Sequence, residues 1–201
     1  MHSLKTLSTT THTTSWLVKS RVQLSTSIVV GLILYDVITD RPPTYGWSRK
    51  FSWNGYFGVA LVLVGMAWRS WAAGTLSKNV ALATLGPYSL CRHPLYFGSF
   101  LMLTGFCKLI GHMHEYVMIL GPFLGIYYLT IRAEERRLHY LYRSRWKDYA
   151  REVPQIVAWK TTAFRRGGWS SGRWWKCREY QAQTGALIGL LLLEAWHRIS
   201  K

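Results

Sequence analysis

GPYSLCRHPLYFGSF, Gly86 to Phe100, is the stretch from which the fold can be read. Gly-Pro punctuates the chain and predicts a turn at Gly86-Pro87. Pro94 suits the first turn of a new helix, where its missing N–H costs nothing, which puts His93 at the N-cap and Arg92 one residue outside. From Pro94 the chain runs directly into an apolar segment. A plain connector between two helices has no need of an arginine, a histidine and two tyrosines at a hydrophobic boundary. The helix start supplies free N–H groups and partial positive charge, so Arg92 and His93 extend it into an anion site. Tyr96 and Gly98 follow on the first turns. Tyr96 can donate or stack, and Gly98 lets something approach the backbone. The competing reading is a turn with snorkelling basic side chains.

Outward from this stretch the apolar residues are clumped rather than spread at amphipathic spacing, and they make up 49% of the 201 residues. Trp53–Ala73, Pro94–Ile110 and Tyr116–Ile131 approach the length of about 20 residues that a bilayer span needs. Val22–Ile38 is a more marginal fourth, stopped by Asp40-Arg41-Pro42-Pro43, since paired prolines cannot continue a helix. Pro122 is expected to kink the Tyr116 segment. In lipid a backbone must satisfy its own hydrogen bonds, so these runs read as helices. Gly185–Trp196 has twelve residues and carries Glu194. It reads as a tilted span, an interfacial helix or a helix docked on the bundle. The expected fold is all-α: an integral-membrane helical bundle of four or five transmembrane helices with a pocket on its cytoplasmic face.

The net charge is +16, from 25 basic and 9 acidic residues. The basic residues are densest from Arg132 to Arg178, outside the apolar runs. With 11 Trp and 12 Tyr in the chain, this favours a membrane protein with a basic cytoplasmic side over a nucleic-acid binder. Counting back through the spans places the loop from Gly74 to His93, and the N-terminus, on that same face. Three parts follow: a polar Thr/Ser-rich tail over 1–20, a membrane core over 21–158, and a basic Trp-rich tail over 159–201 with the last apolar run. RRGGWSSGRWWKCR, Arg165 to Arg178, reads as an interfacial loop on anionic headgroups. No cleaved secretory signal is expected, because no apolar core begins before the Thr/Ser-rich stretch ends.

IRAEERRL, Ile131 to Leu138, ends the fourth run. Carboxylates at Glu134 and Glu135 oppose the helix dipole there unless a cation or donor meets them. Arg132, Arg136 and Arg137 are local partners, and a solvated charge run is the plain reading. On one face with Arg92 and His93, however, the two carboxylates could hold the second end of a zwitterionic ligand.

Taken in order, Gly86-Pro87-Tyr88, Arg92-His93-Pro94-Leu95-Tyr96-Phe97-Gly98, Glu134-Glu135, Tyr149 and Val153-Pro154 resemble the integral-membrane methyltransferases, the isoprenylcysteine carboxyl methyltransferase and phospholipid N-methyltransferase family. The match runs from about Trp68 to Pro154. Arg143 stands where many members have Gly, and Trp146 where they often have Tyr. The resemblance implies an S-adenosyl-L-methionine-dependent methyltransferase acting on a lipidic or membrane-delivered acceptor. It implies that Arg92, His93, Pro94 and Tyr96 hold the methionyl end of the cofactor. Glu135 with Glu134 would bind the adenosine side or order the basic segment, and Tyr88 with the backbone around Leu85 and Gly86 would line the adenine pocket. No catalytic side chain is implied, since displacement on a sulfonium is mostly positioning and exclusion of water.

Two rival readings stand beside it. One is a membrane reductase of related helical core using NADPH, against which the chain has no G-x-G-x-x-G. The other is a non-catalytic membrane protein whose basic tail binds anionic lipid or a partner. Two smaller signals remain. His112-Met113-His114-Glu115 is either a metal-binding stretch or a plain loop facing away from the cytoplasm, with no further ligand evident. Cys91 beside Arg92 is either a thiol of lowered pKa or a small buried residue. Three cysteines this far apart suggest neither a disulfide framework nor a zinc site.

Overall fold

The computed structural model describes residues 35–36, 38–39, 41–44, 52–76, 82–156 and 164–200. The N-terminal tail and nearly all of the Val22–Ile38 run lie outside them. Among the described residues all regular structure is helical.

Helix α1 (Trp53–Thr75) begins where the Ser52 side chain accepts a hydrogen bond from the Gly55 N–H at 3.3 Å, an N-cap that satisfies one orphan donor. A 3-10 turn (Gly86–Ser89) precedes α2 (Pro94–Ile110), which starts with His93 at the N-cap and Pro94 behind it. Gly111, in the left-handed region at φ 82°, ends α2. A single turn, α3 (Met113–Glu115), and a π turn (Tyr116–Leu120) lead into α4 (Gly121–Glu152), and α5 (Ser171–Lys176) and α6 (Glu179–Ile199) complete the chain.

Two of these segments, Trp53–Thr75 and Tyr116–Glu152, are long and apolar enough to cross a membrane. The second outruns the expected span because helix propensity carries the Arg- and Glu-rich stretch on past Ile131 without a break. The ladder leaves α geometry just before Pro122, in the π turn Tyr116–Leu120, and Pro122 sits in the first turn of α4, where no N–H is needed. The backbone departs from helix also at Arg143 (φ 43°, ψ −110°). An L-residue holds that conformation only under strain.

α1 and α2 run antiparallel and touch backbone to backbone. A Cβ on Gly65 would lie 2.6 Å from the Gly98 carbonyl oxygen, and one on Gly105 2.6 Å from that of Gly58. These reciprocal glycine pairs, seven residues apart on each helix, allow the close approach that small residues give membrane helices. Gly98 therefore serves helix packing rather than the approach of a ligand.

Around this hairpin the core gathers Val62 and Met66 of α1, Cys107, Leu109 and Ile110 of α2, Ile119, and Ala186, Leu190 and Leu193 of α6. The last apolar run lies within α6, which packs on the α1–α2 hairpin. It is longer than the run because the polar turn Glu179–Thr184 joins it. Its other face leaves Leu187, Ile188, Leu191 and Leu192 exposed.

Candidate functional site

The loop that opened the analysis is built by three other parts of the chain. Gly86 takes φ 60°, the conformation that frees its N–H to donate to the Arg165 carbonyl at 2.7 Å. Arg165 N–H in turn donates to Ser89 Oγ at 3.2 Å, and Ser89 Oγ–H donates to the Gly86 carbonyl at 2.7 Å. From the end of α4, Tyr149 Oη donates to the Tyr88 carbonyl at 2.7 Å. Arg92 N–H and His93 N–H then donate to the carbonyls of Pro154 (2.9 Å) and Gln155 (3.1 Å). Buried backbone groups must be paired, and here the pairing comes from residues 149–155 and 165.

The charged cluster sits where α2 begins. Arg92 Nη1 lies 2.7 Å and His93 Nε2 3.2 Å from the same oxygen, Glu135 Oε1. His93 is 4% exposed, so its ring is committed to this contact rather than to capping its own helix. Arg92 also lies over the Trp146 ring, 5.6 Å from its centroid, a cation–π contact. One turn along, Tyr96 Oη donates to Glu134 Oε2 at 3.0 Å and packs edge-on against Tyr127 at 4.6 Å.

The structure thus brings Arg92, His93, Tyr96, Glu134 and Glu135 together, with Pro94 placing the helix start. Cations and carboxylates meet one another directly instead of standing apart around a space. Leu85, Gly86 and Tyr88 lie earlier in the same loop. Leu85 is 48% exposed, and burial together with the Glu134 charge pushes the Tyr88 phenol well above its ordinary pKa. Tyr88 is therefore a neutral, buried group.

Of the two readings of Cys91, the buried one is observed. It is 1% exposed, and burial pushes its thiol up to about 12. Thiolate is the reactive form. A maleimide added to native protein should therefore label Cys177, which is partly exposed, well before Cys91 or Cys107. Mass spectrometry of timed samples gives the order. Equal rates at Cys91 and Cys177 would show that the loop opens in solution.

A second polar cluster escaped the sequence reading. Arg69, within the apolar α1, meets Glu179 through two bonds, Nε to Oε1 at 2.8 Å and Nη2 to Oε2 at 2.9 Å, and also reaches Ser99 Oγ. Gln183 joins by donating to Glu179 Oε1 and to the Met66 carbonyl. The available signal was an arginine inside an apolar run, which needs a carboxylate at matching depth.

The basic Trp-rich stretch is also more ordered than an interfacial loop. Trp169 Nε1 donates to the Ser70 carbonyl at 3.1 Å, Trp174 Nε1 to Ser70 Oγ at 2.9 Å, and Arg173 Nε to the Gly74 carbonyl at 2.9 Å. Arg166, Trp175, Lys176 and Arg178 stay exposed.

No family model matches the chain, and no solved structure does. It is 34% identical over 137 residues to the nickel-cobalt-cadmium resistance protein NccN of Alcaligenes xylosoxydans xylosoxydans, covering 63% of this chain and 60% of that protein. It is 37% identical over 102 residues to the cobalt-zinc-cadmium resistance protein CzcN of Cupriavidus metallidurans, covering 50% of this chain and 45% of that protein. The chain therefore spans less than two thirds of the length of either relative.

These names overturn the assignment to the isoprenylcysteine carboxyl and phospholipid N-methyltransferases. With it go the S-adenosylmethionine-dependent methyltransferase activity and the NADPH reductase alternative, since both relatives are named for metal resistance and neither for methyl or hydride transfer. The residues that carried the resemblance have structural work here. Gly86 makes the turn, Tyr149 and Pro154 hold the loop, and Glu135 neutralises Arg92. What the comparisons establish is a similarity to two proteins named for resistance to nickel, cobalt, zinc and cadmium.

Proposed function

We propose that the chain is a membrane component of a resistance system for divalent transition-metal ions. The observation that carries this reading is the similarity to the two resistance proteins, whose names share cobalt and cadmium. The chain crosses the membrane several times. α1, α2 and the Tyr116–Glu152 segment form the spanning set, and the exposed Leu187, Ile188, Leu191 and Leu192 of α6 face lipid. The Arg-rich end of α4, the 82–93 loop and the 164–178 segment face the cytoplasm, as the positive-inside rule requires. There the exposed Arg166, Lys176 and Arg178 meet anionic headgroups beside Trp175.

Disrupting the gene in its own host tests the reading. Growth should fail at lower Co2+ and Cd2+ concentrations than in the parent, and Mg2+ tolerance should not change. Unaltered tolerance to both metals would overturn it.

Binding at the Arg92–Glu135 cluster is a separate proposal. S-adenosylmethionine, expected at Arg92, His93, Tyr96, Glu134 and Glu135, is retained there only as a bound molecule, with no methyl transfer attached. A ligand would have to offset the pairing of Arg92 and His93 with Glu135. Calorimetric titration of detergent-purified protein would detect it, and the absence of saturable heat would remove it.

A further inference from the structure

The bundle end opposite the basic face holds a second group of titratable side chains. Asp36, from the end of the first apolar run, is 1% exposed, and its Oδ1 makes no hydrogen bond among the described residues. That oxygen lies 3.6 Å from His114 Nε2. The His112 ring stacks on that of His114, centroids 5.6 Å apart and 13° from parallel, and His112 Nε2 is buried without a hydrogen bond. The backbone holds these donors from several directions. Arg41 N–H donates to the Asp36 carbonyl at 2.8 Å, Thr44 N–H to the Ile110 carbonyl at 2.9 Å, and His197 Nδ1 lies 2.6 Å from the Pro43 carbonyl oxygen. Asp36, the loop after α2 and the end of α6 are thereby fixed to one another.

We propose that Asp36, His112 and His114 form a binding site for one divalent ion of the Co2+/Zn2+ type. A buried carboxylate oxygen left without a hydrogen bond is costly, and a cation beside it removes that cost. Two donors each about 2.1 Å from a tetrahedral ion stand roughly 3.4 Å apart. Asp36 Oδ1 and His114 Nε2 already have that separation, to within a small adjustment. Two imidazoles and a carboxylate form a borderline donor set suited to Zn2+ and Co2+. No three His, Cys, Asp or Glu side chains among the described residues yet converge on one point. His112 therefore completes the set by turning about its side-chain torsions, with water in the fourth position. The choice of ions rests on the resistance reading, whereas the site rests on the three side chains.

The test uses the full chain in detergent, stripped of metal, with Co2+ alone as the probe. Visible absorption should show one tetrahedral Co2+ per chain. Asp36→Asn and His114→Gln should each weaken its binding at least about tenfold, a loss already seen on removing mere supporting groups. His112→Gln, on a partly exposed loop residue, keeps the test valid if a buried substitution impairs folding, which gel filtration reports. Absence of Co2+ uptake by folded wild type, or undiminished uptake in His112→Gln and His114→Gln, would overturn the site. Loss of Co2+ tolerance in the host without binding here would remove the site and leave the resistance reading. Binding here with unaltered tolerance would do the reverse.

Discussion

Gly65→Ala should destabilise the protein by about 2–3 kcal/mol, the upper part of the range for forcing an extra group into a packed interior. The new Cβ would lie 2.6 Å from the Gly98 carbonyl oxygen and 2.9 Å from the Met102 backbone nitrogen. Neither atom belongs to a flexible side chain, so α1 and α2 must separate to admit the methyl. Gly125→Ala on α4 is the matched control, because nothing lies within 4 Å of its Cβ position. There the higher helix propensity of alanine should make the protein more stable, by up to about 1 kcal/mol. Thermal unfolding of the two variants in one detergent should move in opposite directions. A Gly65→Ala protein as stable as wild type would mean that α1 and α2 are not in backbone contact.

Removing the Glu179 carboxylate should cost more. Arg69 would keep its charge in a site where Glu179 is 2% exposed and supplies two of its hydrogen bonds. Breaking a buried pair from one side costs about 3–5 kcal/mol. The expected result for Glu179→Ala is a marked fall in folded yield and unfolding temperature. Arg69→Met in the same chain should restore most of the loss, because no charge is then stranded. A double-mutant cycle measures the coupling. Additive effects would show that the pair is solvated and that α6 is held by its other contacts.

The parts of the fold that were legible were those fixed by local chemistry. Pro94 sets the start of α2 to the residue, and the Gly86-Pro87 turn forms where that dipeptide stands. Apolar content and length found the body of α1. The later elements were harder because tertiary contacts decide them. α4 runs on through charged residues, and α6 gains its polar first turn only because Glu179 finds Arg69. For the site, the placing of Arg92, His93 and the two glutamates on one face was readable from the spans and the basic residues. Their direct closure on one another was not, since spacing along a chain gives no distance across it. The approach of Asp36 to His114 was not legible either: the sequence offered only His112-Met113-His114-Glu115 as a possible metal-binding stretch, and Asp36 comes from another segment.

The lacing of the 82–93 loop by Arg165 has a consequence for the order of biosynthesis. A ribosome releases the α1–α2 hairpin, whose glycine contacts are complete by Gly105, long before it releases residue 165. The hairpin can therefore enter the membrane and pair while the Gly86 N–H and Ser89 Oγ still face water. They gain their final partners only when the 165–170 segment emerges on the same side. Insertion and loop closure are thus separate events in time, and a segment made late in synthesis finishes a loop made early.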